Sequence, residues 1–384
     1  MNNEEENTRA AELPRPDKLQ QIEETPESCT IMYHAPETDS IIYNMSASKA
    51  NQELTAVQLT LSDLDGDGAA ATIENSEGHA LAVTDYYKLT NGLKESCKKL
   101  LDYSAGELTR QNSKNQSGAP LLTAYIDIKE YAALCGRDIS TETKLKNFRK
   151  ALNYDMETLY KMSVSIKDKR KGVINMRICQ AYGHQNNTGK SGIYYFMFSS
   201  PFADYLIRRN LLLQLPKSLY LTGNTPLSFS LGRYLCDHYS MDSNQINGRY
   251  CVISVKAILN RFSTYFPDME STERNRHNIR IKETVERALE ELEDKRVITW
   301  VYCGAKKAPA DAPATFYEFE RLYIKYDVIN APDGTERRKR NAVKRKAAAE
   351  RKRKAISRSK NAKAKNGTTT ENSAPADGDQ SGAQ

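Results

Sequence analysis

Ile281-Lys-Glu-Thr-Val-Glu-Arg-Ala-Leu-Glu-Glu-Leu292, followed by Val297-Ile-Thr-Trp-Val-Tyr-Cys303, decides the reading of the fold. Ile281, Val285, Leu289 and Leu292 recur at intervals of three and four, which places them on one stripe of an α-helix with charged residues around it. Val297–Cys303 has the β-branched and aromatic composition of a strand. A second strand is expected over Phe316–Tyr326, with a Gly/Lys/Ala/Pro hairpin connection at Gly304–Ala314. Upstream, Tyr250–Ser254 reads as a strand leading into a helix at Val255–Phe262. Before it, Leu227–Tyr239 reads as a helix with Leu231, Leu235 and His238 or Tyr239 on one face.

The same order occurs earlier in the chain. Leu89, Leu93, Cys97, Leu100 and Leu101 mark a helix over Leu89–Glu107. Thr123–Ile128 alternates like a strand and runs into a short helix at Lys129–Leu134, closed by Gly136. Asp138-Ile-Ser-Thr141 offers caps for a long helix with Leu145, Phe148, Leu152, Met156 and Leu159 as its stripe. Two β-rich runs, Val173–Ala181 and Gly192–Phe198, are joined by a turn at Gly183–Gly189, and Pro201–Arg209 closes the unit as a helix. Helix, short strand, helix, helix and hairpin is the element order of a winged helix. The expectation is therefore an α+β chain with two tandem winged-helix domains, residues 81–222 and 223–330.

Charge divides the 384 residues into blocks: −12 over residues 1–80, +8 over 81–336, +14 over 337–365 and −3 over 366–384, for a net +7. Residues 1–80 read as an acidic, largely disordered head, with Ile41–Met45 and Leu54–Leu61 as short ordered pieces; residues 331–384 read as a basic, then polar, flexible tail. A basic middle and tail call for a polyanionic partner, most simply double-stranded DNA.

In a winged helix the recognition helix enters the major groove while the wing touches flanking backbone. In the second copy Arg274, Asn275, Arg276, Asn278, Arg280 and Lys282 gather at the start of that helix, and Lys306 and Lys307 lie in the wing. Arg grips guanine and Asn grips adenine bidentately, so this helix start can read sequence as well as charge. The acidic residues Glu283, Glu286, Glu290, Glu291, Glu293 and Asp294 further along imply that the helix enters by its N-terminus. In the first copy Lys144, Lys146, Asn147 and Lys150 lie opposite the apolar stripe with Arg149 at its margin, and Lys167, Lys169, Arg170 and Lys171 precede the hairpin. Lysine contacts phosphate without directional readout, so this copy reads as a backbone clamp.

Over roughly residues 85–330 the sequence resembles the tandem winged-helix replication initiators of plasmids and integrative elements. The resemblance rests on Leu231-Gly-Arg-Tyr-Leu-Cys-Asp-His-Tyr239, Ile253-Ser-Val-Lys-Ala-Ile-Leu259, Ile281–Leu292 and Ile298-Thr-Trp-Val-Tyr302. Tyr125-Ile-Asp-Ile128, Asn175-Met-Arg-Ile-Cys179 and Phe198-Ser-Ser-Pro-Phe-Ala-Asp-Tyr-Leu206 are similar to initiator-like proteins of conjugative elements. The resemblance implies binding to repeated origin sites, recruitment of a host helicase or helicase loader, and homodimerisation through the first domain. The acidic head and basic tail depart from the usual pattern. Two other readings stay open: a transcriptional or partition regulator of a mobile element with the same fold, and a protein-interaction module whose tail alone holds DNA.

No catalytic residues, metal site or cofactor are expected. Asp63–Glu74 fits the calcium-loop expression, but the flanking residues favour no exit helix. Gly183–Ser191 has one residue too many for a P-loop and a strand after it. The five histidines (His34, His79, His184, His238, His277) include no metal-binding pair of the kind a nicking initiator uses. The seven cysteines are scattered and never spaced CxxC, which fits a reducing cytoplasm. The longest apolar runs fall far short of the ~20 residues that span a membrane.

Overall fold

The computed structural model describes residues 28–43, 71–74, 80–83, 93–114, 120–168, 172–185, 192–209, 211–241, 245–246, 250–262, 265–266, 274–304 and 308–329. In chain order, β1 (Cys29–His34) and α1 (Pro36–Ile42) precede the short strands β2 (Ala71–Glu74) and β3 (Ala80–Val83). Next come α2 (Glu95–Lys114), β4 (Thr123–Asp127), α3 (Ile128–Leu134) and α4 (Glu142–Tyr160). The strands β5 (Met162–Asp168), β6 (Gly172–Arg177), β7 (Cys179–Gln185) and β8 (Ile193–Phe198) follow, then α5 (Ser200–Arg209), β9 (Leu211–Pro216) and a 3₁₀ turn at Lys217–Leu221. The last part holds α6 (Ser228–Ser240), β10 (Gln245–Ile246), β11 (Tyr250–Ser254), α7 (Val255–Arg261), α8 (Arg274–Asp294), β12 (Ile298–Cys303), α9 (Phe316–Arg321) and β13 (Tyr323–Val328). The fold is α+β.

Two of the sheets repeat one arrangement. In the order β4-β8-β7, the strand before the short helix pairs with the last strand, which pairs with β7; β5 and β6, which come between the long helix and β7, belong to another sheet. The order β10-β11-β13-β12 is similar, except that β12 follows its long helix directly and β10 is added at the edge. Local chemistry sets these elements. Asp127 accepts from Lys129 N and Glu130 N at the start of α3, Thr141 accepts from Lys144 N at the start of α4, and Ser254 accepts from Ala257 N at the start of α7. Leu152, Met156 and Leu159 of α4 are buried, as are Ile281, Val285, Leu289 and Leu292 of α8. Both stripes therefore lie where their spacing places them.

The two halves share one continuous apolar core, running from Met32 to Val328. At its centre α2 is buried nearly all round, and its Lys98, Lys99, Asp102, Thr109 and Asn112 are buried too. Each has partners, as burial of polar groups demands. Lys99 Nζ donates to the carbonyls of Tyr220 (2.8 Å) and Thr222, and Asn112 exchanges hydrogen bonds with Leu121. Close packing also explains two glycines. A Cβ on Gly106 would come within 2.5 Å of Thr30 Cγ2, and one on Gly232 within 2.5 Å of Leu219 and Leu292 side chains.

The structure corrects several expectations. The acidic head contributes to the core: β1 pairs antiparallel with β9 from Cys29↔Pro216 to His34↔Leu211, and Met32, Tyr33, Ile41 and Ile42 are buried. β2 and β3 join β5 and β6 in a sheet of order β2-β3-β5-β6. The β-rich run Val173–Ala181 is two strands in two sheets, breaking at Ile178, and Lys167 lies in β5 of the first hairpin, away from β7 and β8. Phe316–Arg321, expected as strand, is helix α9. A reciprocal capping box between Thr315 and Glu318 overrides its aromatic strand propensity. Leu89, Leu54–Leu61, Met45 and the tail, residues 331–384, lie outside the described residues.

Candidate nucleic-acid interface

Helix α8 begins at Arg274, so Arg274, Asn275, Arg276, Asn278, Arg280 and Lys282 occupy its first turns. The structure describes only the backbone of Arg274, Asn275 and Arg276. Burial of Ile281 fixes the rotation of the helix and leaves Arg280 and its neighbour Ile279 exposed, Asn278 half-buried. Arg280 has no ionic partner among the described residues. Lys282 is less free: it lies half-buried, with Nζ 3.3 Å from Glu286 Oε2.

The acidic half of α8 is only partly a solvent face. Glu291 is buried and accepts the backbone N–H groups of Gly223 (2.7 Å), Asn224 (2.9 Å) and Thr225 (2.8 Å). Burial raises its pKa, but these hydrogen bonds outweigh that and hold it below the usual carboxylate range. Glu286 accepts from Tyr302 OH at 2.8 Å. Glu283, Glu290, Glu293 and Asp294 remain exposed, so negative charge still collects at the C-terminal half.

The connection between β12 and β13 carries Lys306 and Lys307, which lie outside the described residues. It also carries α9, where Arg321 stacks 3.7 Å above the ring of Tyr317, the latter 61% exposed. An exposed cationic and aromatic pair next to the hairpin suits nucleic acid, since guanidinium and aromatic faces both meet bases and phosphates. The aromatic composition of Phe316–Arg321, which favours a strand, conceals this pair in the sequence.

On α4, Lys146, Arg149 and Lys150 project from the exposed face. Lys144 and Asn147 are exposed too, but they line a cleft between α4, α3 and α2. Lys144 pairs with Asp138, and the bond holds the Asp138 carboxyl far below its usual range. Lys169, Arg170 and Lys171 lie outside the described residues; the strands on either side of them in sequence, β5 and β6, pair from Ser163↔Arg177 to Asp168↔Gly172. The candidates therefore divide between the start of α8, the outer face of α4, and two hairpin connections.

Of the motifs set aside, Gly183, His184 and Gln185 lie within β7 and Glu74 within β2. Among the described residues no group of His, Cys, Asp and Glu could hold a metal ion, and no helix is long and apolar enough to cross a membrane. None of the seven cysteines forms a disulfide.

No protein-family model matches the sequence, and no curated protein matches it. Among solved structures, the crystal structure of RctB domains 2–3 is similar over 68% of this chain and 90% of that one, at 9% identity and a TM-score of 0.33. That likeness is too slight to bear on function.

Proposed function

We propose that this chain is a sequence-specific double-stranded DNA-binding protein that initiates replication of a plasmid or an integrative and conjugative element. In this reading two tandem winged helices bind repeated origin sites and host replication factors are recruited to them. The observation that carries it is the similar sheet order of the two halves, each with a capped short helix and a long helix after its first paired strand, and with exposed basic side chains on the outer face of α4 and at the start of α8. The start of α8 is the base reader: Arg280 is exposed and unpaired among the described residues, and the N-terminal end of a helix favours phosphate. The outer face of α4 holds the DNA backbone through Lys146, Arg149 and Lys150. The sequence resemblance over residues 85–330 supplies the step from DNA binding to initiation.

A replication assay tests that step. The chain is supplied in trans to a plasmid that carries only the element's own replication region. Maintenance of the plasmid, lost in Arg280→Ala, is the expected result. Failure to replicate a plasmid whose sites the chain still occupies would overturn initiation and leave a regulator.

A further inference from the structure

Between α2, α3 and α4 lies a cleft of about 420 Å³, a volume that suits a small organic ligand. Its two ends differ in charge. At the inner end, Asp155 is 5% exposed and accepts a hydrogen bond from Ser96 Oγ at 3.1 Å, its only side-chain hydrogen bond among the described residues. Burial pushes its pKa up to about 7. Ser96 and the charge of Lys94 pull it down only in part, and a buried carboxyl with one side-chain hydrogen bond is costly unless something further meets it.

At the outer end the balance is positive. Lys144 and Asp138 neutralise each other, but Arg137 is exposed and its side chain has no partner among the described residues. Arg137 also lies near the buried Lys99: burial chiefly lowers the Lys99 pKa, and Arg137 adds to that lowering. The Cys135 thiol lies between the two ends. Burial raises its pKa, Lys99 and Arg137 pull it down, and Asp155 pushes it up. The wall is aromatic, with Tyr131 and Phe148 rings 6.1 Å apart between centroids.

We infer that this cleft binds a nucleoside monophosphate, with the base edge on Asp155 and Ser96, the ring against Tyr131 and Phe148, and the phosphate on Arg137. A carboxylate accepts the N–H donors of a base edge, as acidic side chains do from cytosine N4. A guanidinium takes phosphate bidentately. Zwitterions of amino-acid size match the end charges but leave the aromatic wall uncovered. The inference stands apart from the DNA-binding reading, since its contacts Asp155, Ser96, Tyr131, Phe148 and Arg137 are not among the proposed DNA contacts, although Lys144 and Asn147 line the same cleft.

The test is isothermal titration of the full chain, freed of nucleic acid, with AMP, GMP, CMP, UMP and orthophosphate. At least one nucleotide binds saturably at one site, about tenfold or more tighter than orthophosphate. Arg137→Ala weakens every nucleotide that binds by about tenfold or more, and Asp155→Asn changes the ranking among the bases. Arg137 is exposed, so its variant keeps the fold, and Ser96→Ala replaces Asp155→Asn should the latter not fold. Absence of binding by all four nucleotides overturns the inference. So does orthophosphate binding as tightly as the nucleotides, or affinity unchanged in Arg137→Ala.

Discussion

Arg233 of α6 donates Nε to Asp102 Oδ2 of α2 at 2.8 Å, with both side chains almost wholly buried. The same guanidinium reaches Asp39 Oδ1 of α1 at 3.0 Å and lies 3.6 Å over the ring of Tyr43, whose hydroxyl donates to Asp102. His34 Nδ1 hydrogen-bonds the other Asp39 oxygen at 2.8 Å. One cation thus fastens the segment before β2, the central helix and the second copy to each other. Nearby, buried Lys98 does likewise, donating to Glu95 (3.2 Å), Ser230 (3.0 Å) and the Tyr43 carbonyl (3.3 Å).

Removing one partner of such a group leaves buried charge uncompensated. Arg233→Ala and Arg233→Met are both expected to cost about 3–5 kcal/mol of folding stability, read from urea unfolding, since either leaves Asp102 and Asp39 buried without their counter-charge.

The segment carrying β1 and α1 is structural. A chain lacking residues 1–43 loses the partner strand of β9 and both Asp39 and Tyr43, so it should lose cooperative thermal unfolding. For the same reason residues 223–330 expressed alone, with Arg233 stripped of Asp102 and Asp39, should not unfold cooperatively.

Stability should fall as pH rises from about 4 to 7. Burial pushes Asp102 up to about 6 and Asp155 up to about 7, against an ordinary 3.8. Across that interval the folded chain holds protons that the unfolded chain has released, so their contribution is full below the unfolded value and is lost as pH rises through the folded one. Asp39 acts the other way: burial raises its pKa, but Arg233 and His34 outweigh it, so its contribution is lost only as pH falls below the ordinary range. Asp155→Asn should therefore flatten the dependence of urea-unfolding stability on pH between about 4 and 7.

Periodicity made the helices α4 and α8 legible, because each buries one stripe and exposes much of the rest, whereas α6 has no exposed residue. Helix α2 was harder. Its Lys98, Lys99 and Asp102 look like solvent residues, and partners more than a hundred positions away, Ser230, Tyr220 and Arg233, explain their burial. The strand β1 was hidden in acid-rich surroundings for the same reason, since β9 is its partner. Glu291 read as exposed acid because the loop N–H groups it accepts lie at Gly223–Thr225. Helix α9 could have been found: Thr315-Phe-Tyr-Glu318 is a capping-box signature in the sequence itself. At the candidate interface the start of α8 was legible as charge, but the Tyr317–Arg321 stack was not.

The basic block at residues 337–365 should supply non-specific affinity that falls steeply with salt, since each neutralised phosphate releases counterions. Truncation at Gly334 is expected to flatten the salt dependence of DNA binding while leaving the ranking of duplex sequences unchanged. Loss of all DNA binding would assign it to the tail alone.

The most direct measurement of the central claim is fluorescence-anisotropy binding of the full chain to duplexes tiled across the element's own replication region, with random duplex as control, at physiological salt. The account predicts preference for fragments that contain direct repeats, with Arg280→Ala costing about 1–3 kcal/mol at the preferred site and less on random duplex. Equal, weak binding to every fragment, unaffected by Arg280→Ala, would contradict it.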